Sequence, residues 1–217
     1  KIQIKVNENT SDELLFKVFD MIRRGKNCFA FSCEPAMIKA VMNYGATYEE
    51  ALSMDIRGCY ETGIRANEVS TCTGYVNALK PIEYVFSNGF DSRTGRQLGI
   101  KTGELKNLKT FGDFYNAVLR QWENLIEMSI GVSNQFEKYL SFINPSNMYS
   151  ATIEGALEKG TDAYQSGVKF NNSAVLNCGF AGLTDAVMAV KEFVYDKKTV
   201  TLETLAEALD KNWVGFE

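Results

Sequence analysis

The chain has 217 residues, a net charge of −4, 45% hydrophobic and 23% charged residues, three prolines and no histidine. That is enough chain for one large domain or two small ones, in the composition range of soluble globular proteins. The negative net charge and the scattered basic residues, densest at Arg23-Arg24-Gly25-Lys26, argue against a nucleic-acid partner, and no apolar run approaches the roughly 20 residues of a membrane span.

Residues 2–6 alternate as a strand does. Thr10 with Glu13 then forms a capping signal before an apolar stripe of Leu14, Val18, Met21 and Ile22, which stops at Gly25. Residues 27–32 predict a short buried strand, and Glu34-Pro35 opens a helix that Gly45 closes. Thr47 and Glu50 cap a further helical turn before an extended "MDIRG". A helix is predicted from about Gly74 to Phe86, followed by a turn-rich surface excursion over 87–99. The longest element starts after Thr110, capped with Asp113, and runs toward Tyr139, with its aromatics Phe114, Tyr115, Trp122, Phe136 and Tyr139 read as core. A helix near 150–159, an extended run "GVKFNNSAVLNCG" and helices over 182–195 and 201–212 complete the chain. Strands alternating with helices give an α/β fold class.

The cysteines are Cys28, Cys33, Cys59, Cys72 and Cys178, with no C-x-x-C pair. They favour reduced thiols in a cytoplasmic protein over a disulfide framework or zinc site. Cys33, Cys72 and Cys178 are read as small fillers, Cys72 near enough to Cys59 in sequence to line the same site. Lack of histidine excludes, within these residues, a Cys-His nucleophile and the commonest metal ligand, so no metal site is expected. The stretch "DIRGCYET" (55–62) nevertheless puts Cys59 on a loop just past a strand, two residues before Glu61. A neighbouring carboxylate disfavours thiolate and keeps sulfur as a neutral S–H. Such a pair suits hydrogen-atom chemistry beside a proton acceptor, or it is a small buried thiol beside a solvated loop charge.

"ALSMDIRGCYET" resembles the cysteine-loop segment of the glycyl radical enzymes, the pyruvate formate-lyase-like superfamily. "YGATYEEALSM", "NCFAFSCEPAMIKAVM", "GYVNALKPIEYVFSNGFDSRTGRQLG" and the closing run from "GVKFNNS" to "NWVGFE" are similar to its segments, in the same order. "CYETG" and "TGYVN" look most like the branch that dehydrates 4-hydroxyproline. The resemblance implies that residues 1–217 are a central to C-terminal segment of the catalytic domain, part of a ten-stranded β/α barrel with the cysteine loop inside. It makes Cys59 the thiyl-radical cysteine, Glu61 the general base and Tyr75 a residue lining the substrate pocket. Tyr75 reads equally as a tyrosine packed in a helix's first turn.

The resemblance further implies no cofactor bound in this chain. It implies instead a glycyl radical outside the segment, installed by an S-adenosylmethionine iron–sulfur activase, a small-molecule substrate and a homodimer. The glycine loop and the N-terminal part of the pocket are expected to lie outside the 217 residues, leaving them inactive and, with unpaired sheet edges, poorly soluble alone. Shielding of Glu61 beside an uncharged thiol predicts a raised carboxyl pKa. Tyr60, Arg57, Cys33 and the loop "IRANEVSTC" depart from the family pattern near the pocket, where they bear on the substrate more than on the reaction type. Other glycyl radical lyases (a decarboxylase, a C–N lyase, a diol dehydratase), a non-catalytic domain with a vestigial loop and a thiol redox protein stay open as alternatives.

Overall fold

The computed structural model describes residues 2–216 apart from Cys59, Tyr60, Thr71 and Cys72 and the side chains of Arg57 and Thr73. The chain opens with β1 (Ile2–Val6), α1 (Asp12–Arg23), β2 (Phe29–Cys33), α2 (Glu34–Asn43), α3 (Tyr48–Leu52), β3 (Met54–Arg57) and β4 (Glu61–Ile64). Next come β5 (Glu68–Val69), β6 (Thr73–Asn77), α4 (Lys80–Phe86), β7 (Phe90–Asp91), β8 (Arg96–Gln97) and the long α5 (Phe111–Ile143). The last elements are α6 (Asn147–Ser150), α7 (Glu154–Lys159), β9 (Phe170–Asn171), β10 (Ala174–Cys178), α8 (Phe180–Val190) and α9 (Leu202–Asp210). This is the mixed α/β architecture that the sequence predicts. Among the described residues the strands pair two by two in five ladders, so no closed barrel forms within them.

Two compact units divide the chain. The first comprises Lys1–Thr71 and Glu137–Ala174. Its β1 and β2 are parallel, in register from Ile2↔Phe29 to Val6↔Cys33, with α1 as the connection. The cap of α1 sits one residue later than expected. Ser11 Oγ accepts from the Leu14 N–H at 3.3 Å, because Thr10 Oγ1 is engaged by the Asn7 N–H at 3.0 Å in the turn before it. Of the apolar stripe, Val18 is buried, while Leu14 and Met21 stay exposed. Pro35 lies in the first turn of α2 as predicted, and α3 carries the full Thr47–Glu50 capping box. Val41, Ala46, Ala51, Met54 and Ile64 form one core cluster, and Val69, Ile153, Ala156, Ala163 and Val168 another. The helix expected near 150–159 begins only at Glu154, as α7, with the short α6 ending at Ser150 before it, and α7 ends on Gly160 at φ +61.

The second unit comprises Cys72–Phe136 and Val175–Glu217. The single helix expected from Gly74 to Phe86 is a strand and then a helix. β6 pairs with β10, and Asn77 Oδ1 accepts from the Leu79 N–H at 3.0 Å in an Asx turn that ends the strand before α4. Segment 87–99 folds as the antiparallel β7–β8 hairpin. It is drawn tight where the Leu98 and Gly99 N–H groups both donate to Gly89 O, at 3.2 and 2.8 Å.

The helix α5 is 33 residues long, close to the predicted length. Of its aromatics, Phe114 is buried and Trp122 half-buried, but Tyr115, Phe136 and Tyr139 are exposed, a correction to their reading as core. Phe114, Val118, Val85, Leu183 and Leu202 belong to one cluster that gathers α4, α5, α8 and α9. α8 begins two residues before the predicted helix and passes into a π-helical turn, Lys191–Asp196. Lys197 N–H there donates to Glu192 O at 2.8 Å, a five-residue step.

Candidate functional site

The stretch around Cys59 and Glu61 that the sequence singles out folds as a hairpin. β3 and β4 are antiparallel, with Met54↔Ile64, Asp55↔Gly63, Ile56↔Thr62 and Arg57↔Glu61 as partners. Residues 58–60 connect them. Cys59, the predicted radical carrier, lies outside the described residues, as does Cys72.

Gly58, the residue before Cys59, has φ +54, in the left-handed region that favours glycine. Half-buried Glu61 folds its side chain back over it: a Cβ built on Gly58 would stand 2.7 Å from Oε2 and 3.3 Å from Cδ of Glu61.

β1 holds this hairpin through two side chains two residues apart, hence on one face of the strand. Gln3 Nε2 donates to Gly58 O at 3.0 Å, and Lys5 Nζ donates to Met54 O at 3.1 Å. Lys5 also lies 3.5 Å from Glu34 Oε1. On the outer side Arg65 is 2.7 Å from Asp55 Oδ2. The Arg65 hydrogen bond is the main cause that holds the Asp55 carboxyl below its usual range, followed by the Ile56 N–H.

Past β4 stands a buried carboxylate that no sequence motif singles out. Glu68, 3% exposed, accepts from Ile64 N–H at 2.7 Å and Tyr44 Oη–H at 3.1 Å on Oε2, and from Asn172 Nδ2 at 2.9 Å on Oε1. It thus ties the end of β4 to α2's C-terminal cap and to the residue after β9. Its partners lie up to 104 positions away, beyond any local signal.

Tyr75 belongs to the second unit and sits on β6, not in the first turn of a helix. Val76 is buried on one face of that strand and Tyr75 is 71% exposed on the other. Tyr75 borders a groove of about 450 Å³ with Lys80 and with Leu125, Met128 and Phe136 of α5.

Cys28, Cys33 and Cys178 are free thiols, as expected, but exposed, which corrects the reading of Cys33 and Cys178 as fillers. Among the described residues no group of three or more His, Cys, Asp or Glu is placed to hold a metal ion. No helix among them is long and apolar enough to cross a membrane.

Comparison with known proteins gives this hairpin its context. The family model "Pyruvate formate lyase-like" matches residues 1–217. Trans-4-hydroxy-L-proline dehydratase of Clostridioides difficile is 29% identical over 214 residues, 99% of this chain and 27% of the relative. (2S)-3-sulfopropanediol dehydratase of Klebsiella oxytoca is 30% identical over 215 residues, 99% of this chain and 26% of the relative. The crystal structure of the Clostridioides difficile hydroxyproline dehydratase, with trans-4-hydroxy-L-proline bound, superposes with a TM-score of 0.85 at 30% identity, over 99% of this chain and 27% of that one. The chain therefore spans about a quarter of the length of the relatives it matches. With all 217 residues matched, the chain belongs to the pyruvate formate lyase-like family of glycyl radical enzymes.

Proposed function

We propose that this chain carries the thiyl cysteine and the general base of a glycyl radical dehydratase that eliminates water from a small hydroxylated substrate, 4-hydroxyproline first among them. Cys59 is the hydrogen-atom carrier, Glu61 the proton acceptor and Tyr75 a substrate contact. The observation that carries this reading is the Glu61 carboxylate lying against the α-carbon of Gly58, next to Cys59 in sequence. It is supported by 29% identity to a 4-hydroxyproline dehydratase over 99% of the chain. In the whole protein these residues form part of a ten-stranded barrel whose inside holds the cysteine loop, and the protein is a homodimer.

A glycyl radical outside these residues, installed by an S-adenosylmethionine iron–sulfur activase, supplies the unpaired electron. The sulfur of Cys59, once a thiyl, takes H• from a substrate carbon, forming S–H and leaving the electron on carbon. Sulfur suits the step because S–H and activated C–H bonds are of similar strength, so the exchange runs both ways. Glu61 takes a proton from the activated site and the neighbouring C–O bond breaks. The departing hydroxyl leaves as water with a proton returned by the carboxyl, and the product radical regains H• from Cys59. The sum is substrate to unsaturated product plus water, with no net oxidation. Positioned proton transfer of this kind contributes about 10²–10⁴-fold.

The test is the whole protein, activated without oxygen and offered 4-hydroxyproline, 1,2-propanediol and 3-sulfopropanediol. Cys59→Ala should form no product, and Glu61→Gln should lose at least about 100-fold with the glycyl radical signal intact by electron paramagnetic resonance. Near-normal product from either activated variant would remove the assigned role. The 30% identity to a sulfopropanediol dehydratase favours a second reading, the same chemistry on a substituted diol; product on the diols alone would select it.

A further inference from the structure

We propose that Gly58 is a positioning residue for Glu61: its bare α-carbon is the seat of the carboxylate, and Gln3 fixes the peptide that provides the seat. The inference rests on the reading of Glu61 as the proton acceptor.

Glycine at a positive φ is ordinarily explained by backbone freedom alone, and Gly25 and Gly95 fit that explanation. Their φ values are +83 and +67, and an added Cβ would meet nothing within 4 Å at either. Gly58 differs. A Cβ there would lie 2.7 Å from Glu61 Oε2, 3.3 Å from Cδ and 3.6 Å from Oε1, so one carboxylate oxygen occupies the space that a side chain would need and the carboxyl carbon crowds it.

What would have to move is the far end of a flexible side chain and not backbone. The substitution is therefore mild for packing but displaces the one group on which proton transfer depends. The seat itself is held from β1, where Gln3 Nε2 donates to Gly58 O at 3.0 Å. The carbonyl of Gly58 belongs to the peptide that leads into Cys59. One amide thus restrains the floor under the carboxylate.

The experiment compares Gly58→Ala, Gly25→Ala and Gln3→Glu in the activated whole protein, reading turnover per glycyl radical, KM, thermal midpoint and the pH profile of kcat. Gly58→Ala should lower kcat at least 10-fold with KM within 3-fold and should shift the acid limb of the profile. Gly25→Ala, also at a positive φ but with open space around it, should keep kcat. Gln3→Glu keeps size but loses the donor, and should lower kcat in the same sense; it serves if Gly58→Ala does not fold.

A crystal structure of Gly58→Ala provides a readout independent of activity, with the Glu61 carboxylate displaced by about 1 Å or more. A folded Gly58→Ala protein with unmoved carboxylate or unchanged kcat overturns the inference. A displaced carboxylate in a protein that Glu61→Gln leaves active instead keeps the steric assignment and removes the catalytic reading above.

Discussion

Tyr44 and Glu68 meet through a 3.1 Å hydrogen bond from the phenol to Oε2, on a carboxylate that is 3% exposed. That oxygen also takes the buried Ile64 N–H at 2.7 Å, so removing it costs that backbone donor its carboxylate partner. An unsatisfied buried donor costs about 1–3 kcal/mol. Glu68→Ala should destabilise the whole protein by about 3 kcal/mol, measured by urea unfolding, and Tyr44→Phe by about 1 kcal/mol. A loss below about 0.5 kcal/mol for Glu68→Ala would show that the cluster contributes little.

Gly89 tests close backbone approach in the second unit. Its φ is +85, and an added Cβ would lie 2.5 Å from both Gly99 O and Ile100 O. Backbone cannot swing aside as a side chain can. Gly89→Ala should cost at least about 3 kcal/mol, beyond the roughly 1–2 kcal/mol of the left-handed backbone alone. Gly95→Ala, at φ +67 with open space around it, should cost only the backbone part. Equal melting temperatures for the two variants would contradict the geometry.

Asp91 predicts acid sensitivity. It accepts from Thr94 Oγ1 at 2.6 Å, Lys80 Nζ at 3.0 Å and Thr94 N–H at 3.0 Å. The Thr94 hydroxyl, then Lys80, holds its carboxyl below the usual range. A depressed carboxyl stabilises the fold above the unfolded value of about 3.9 and loses that contribution as pH falls through the folded value. The thermal midpoint should therefore drop below about pH 4, and less steeply in Asp91→Asn.

Tyr195 predicts the alkaline side. Burial, more than the neighbouring Asp113 and Glu203 carboxylates, pushes its phenol up to about 12, while its hydroxyl donates to Leu108 O at 2.9 Å. A raised phenol stabilises the fold below the unfolded value of about 10 and loses that contribution as pH rises toward the folded one. Ultraviolet titration should show one tyrosine ionising near 12 that is missing in Tyr195→Phe. That variant should be less stable at neutral pH by about 1 kcal/mol.

Thr47 with Glu50 and Thr110 with Asp113 announce their helices in the sequence because each cap closes within four residues. The strand at Thr73–Asn77 announces nothing comparable. Its partner β10 lies far along the chain, and the residues after it suit a helix that does form from Lys80. Ser11 takes the cap expected of Thr10 because Asn7 claims the threonine first. At the candidate site the spacing of Cys59 and Glu61 is legible. The reversal that lays Glu61 over Gly58 depends on hairpin pairing and on Gln3, 55 positions earlier, and Glu68 depends on contacts more distant still.

The π-helical turn Lys191–Asp196 gives this part of the molecule a place to vary in length. Dropping one residue from an ordinary helix rotates everything beyond it by about 100°. Within α8 such a loss would swing Val187 and Val190 out of the cluster they share with Phe114 and Leu202. In the widened turn the surplus residue is already bulged out, so its deletion relaxes the coil to ordinary pitch and leaves the packed face in phase. Insertions and deletions among related chains should accordingly collect at 191–196 and avoid the helix before it.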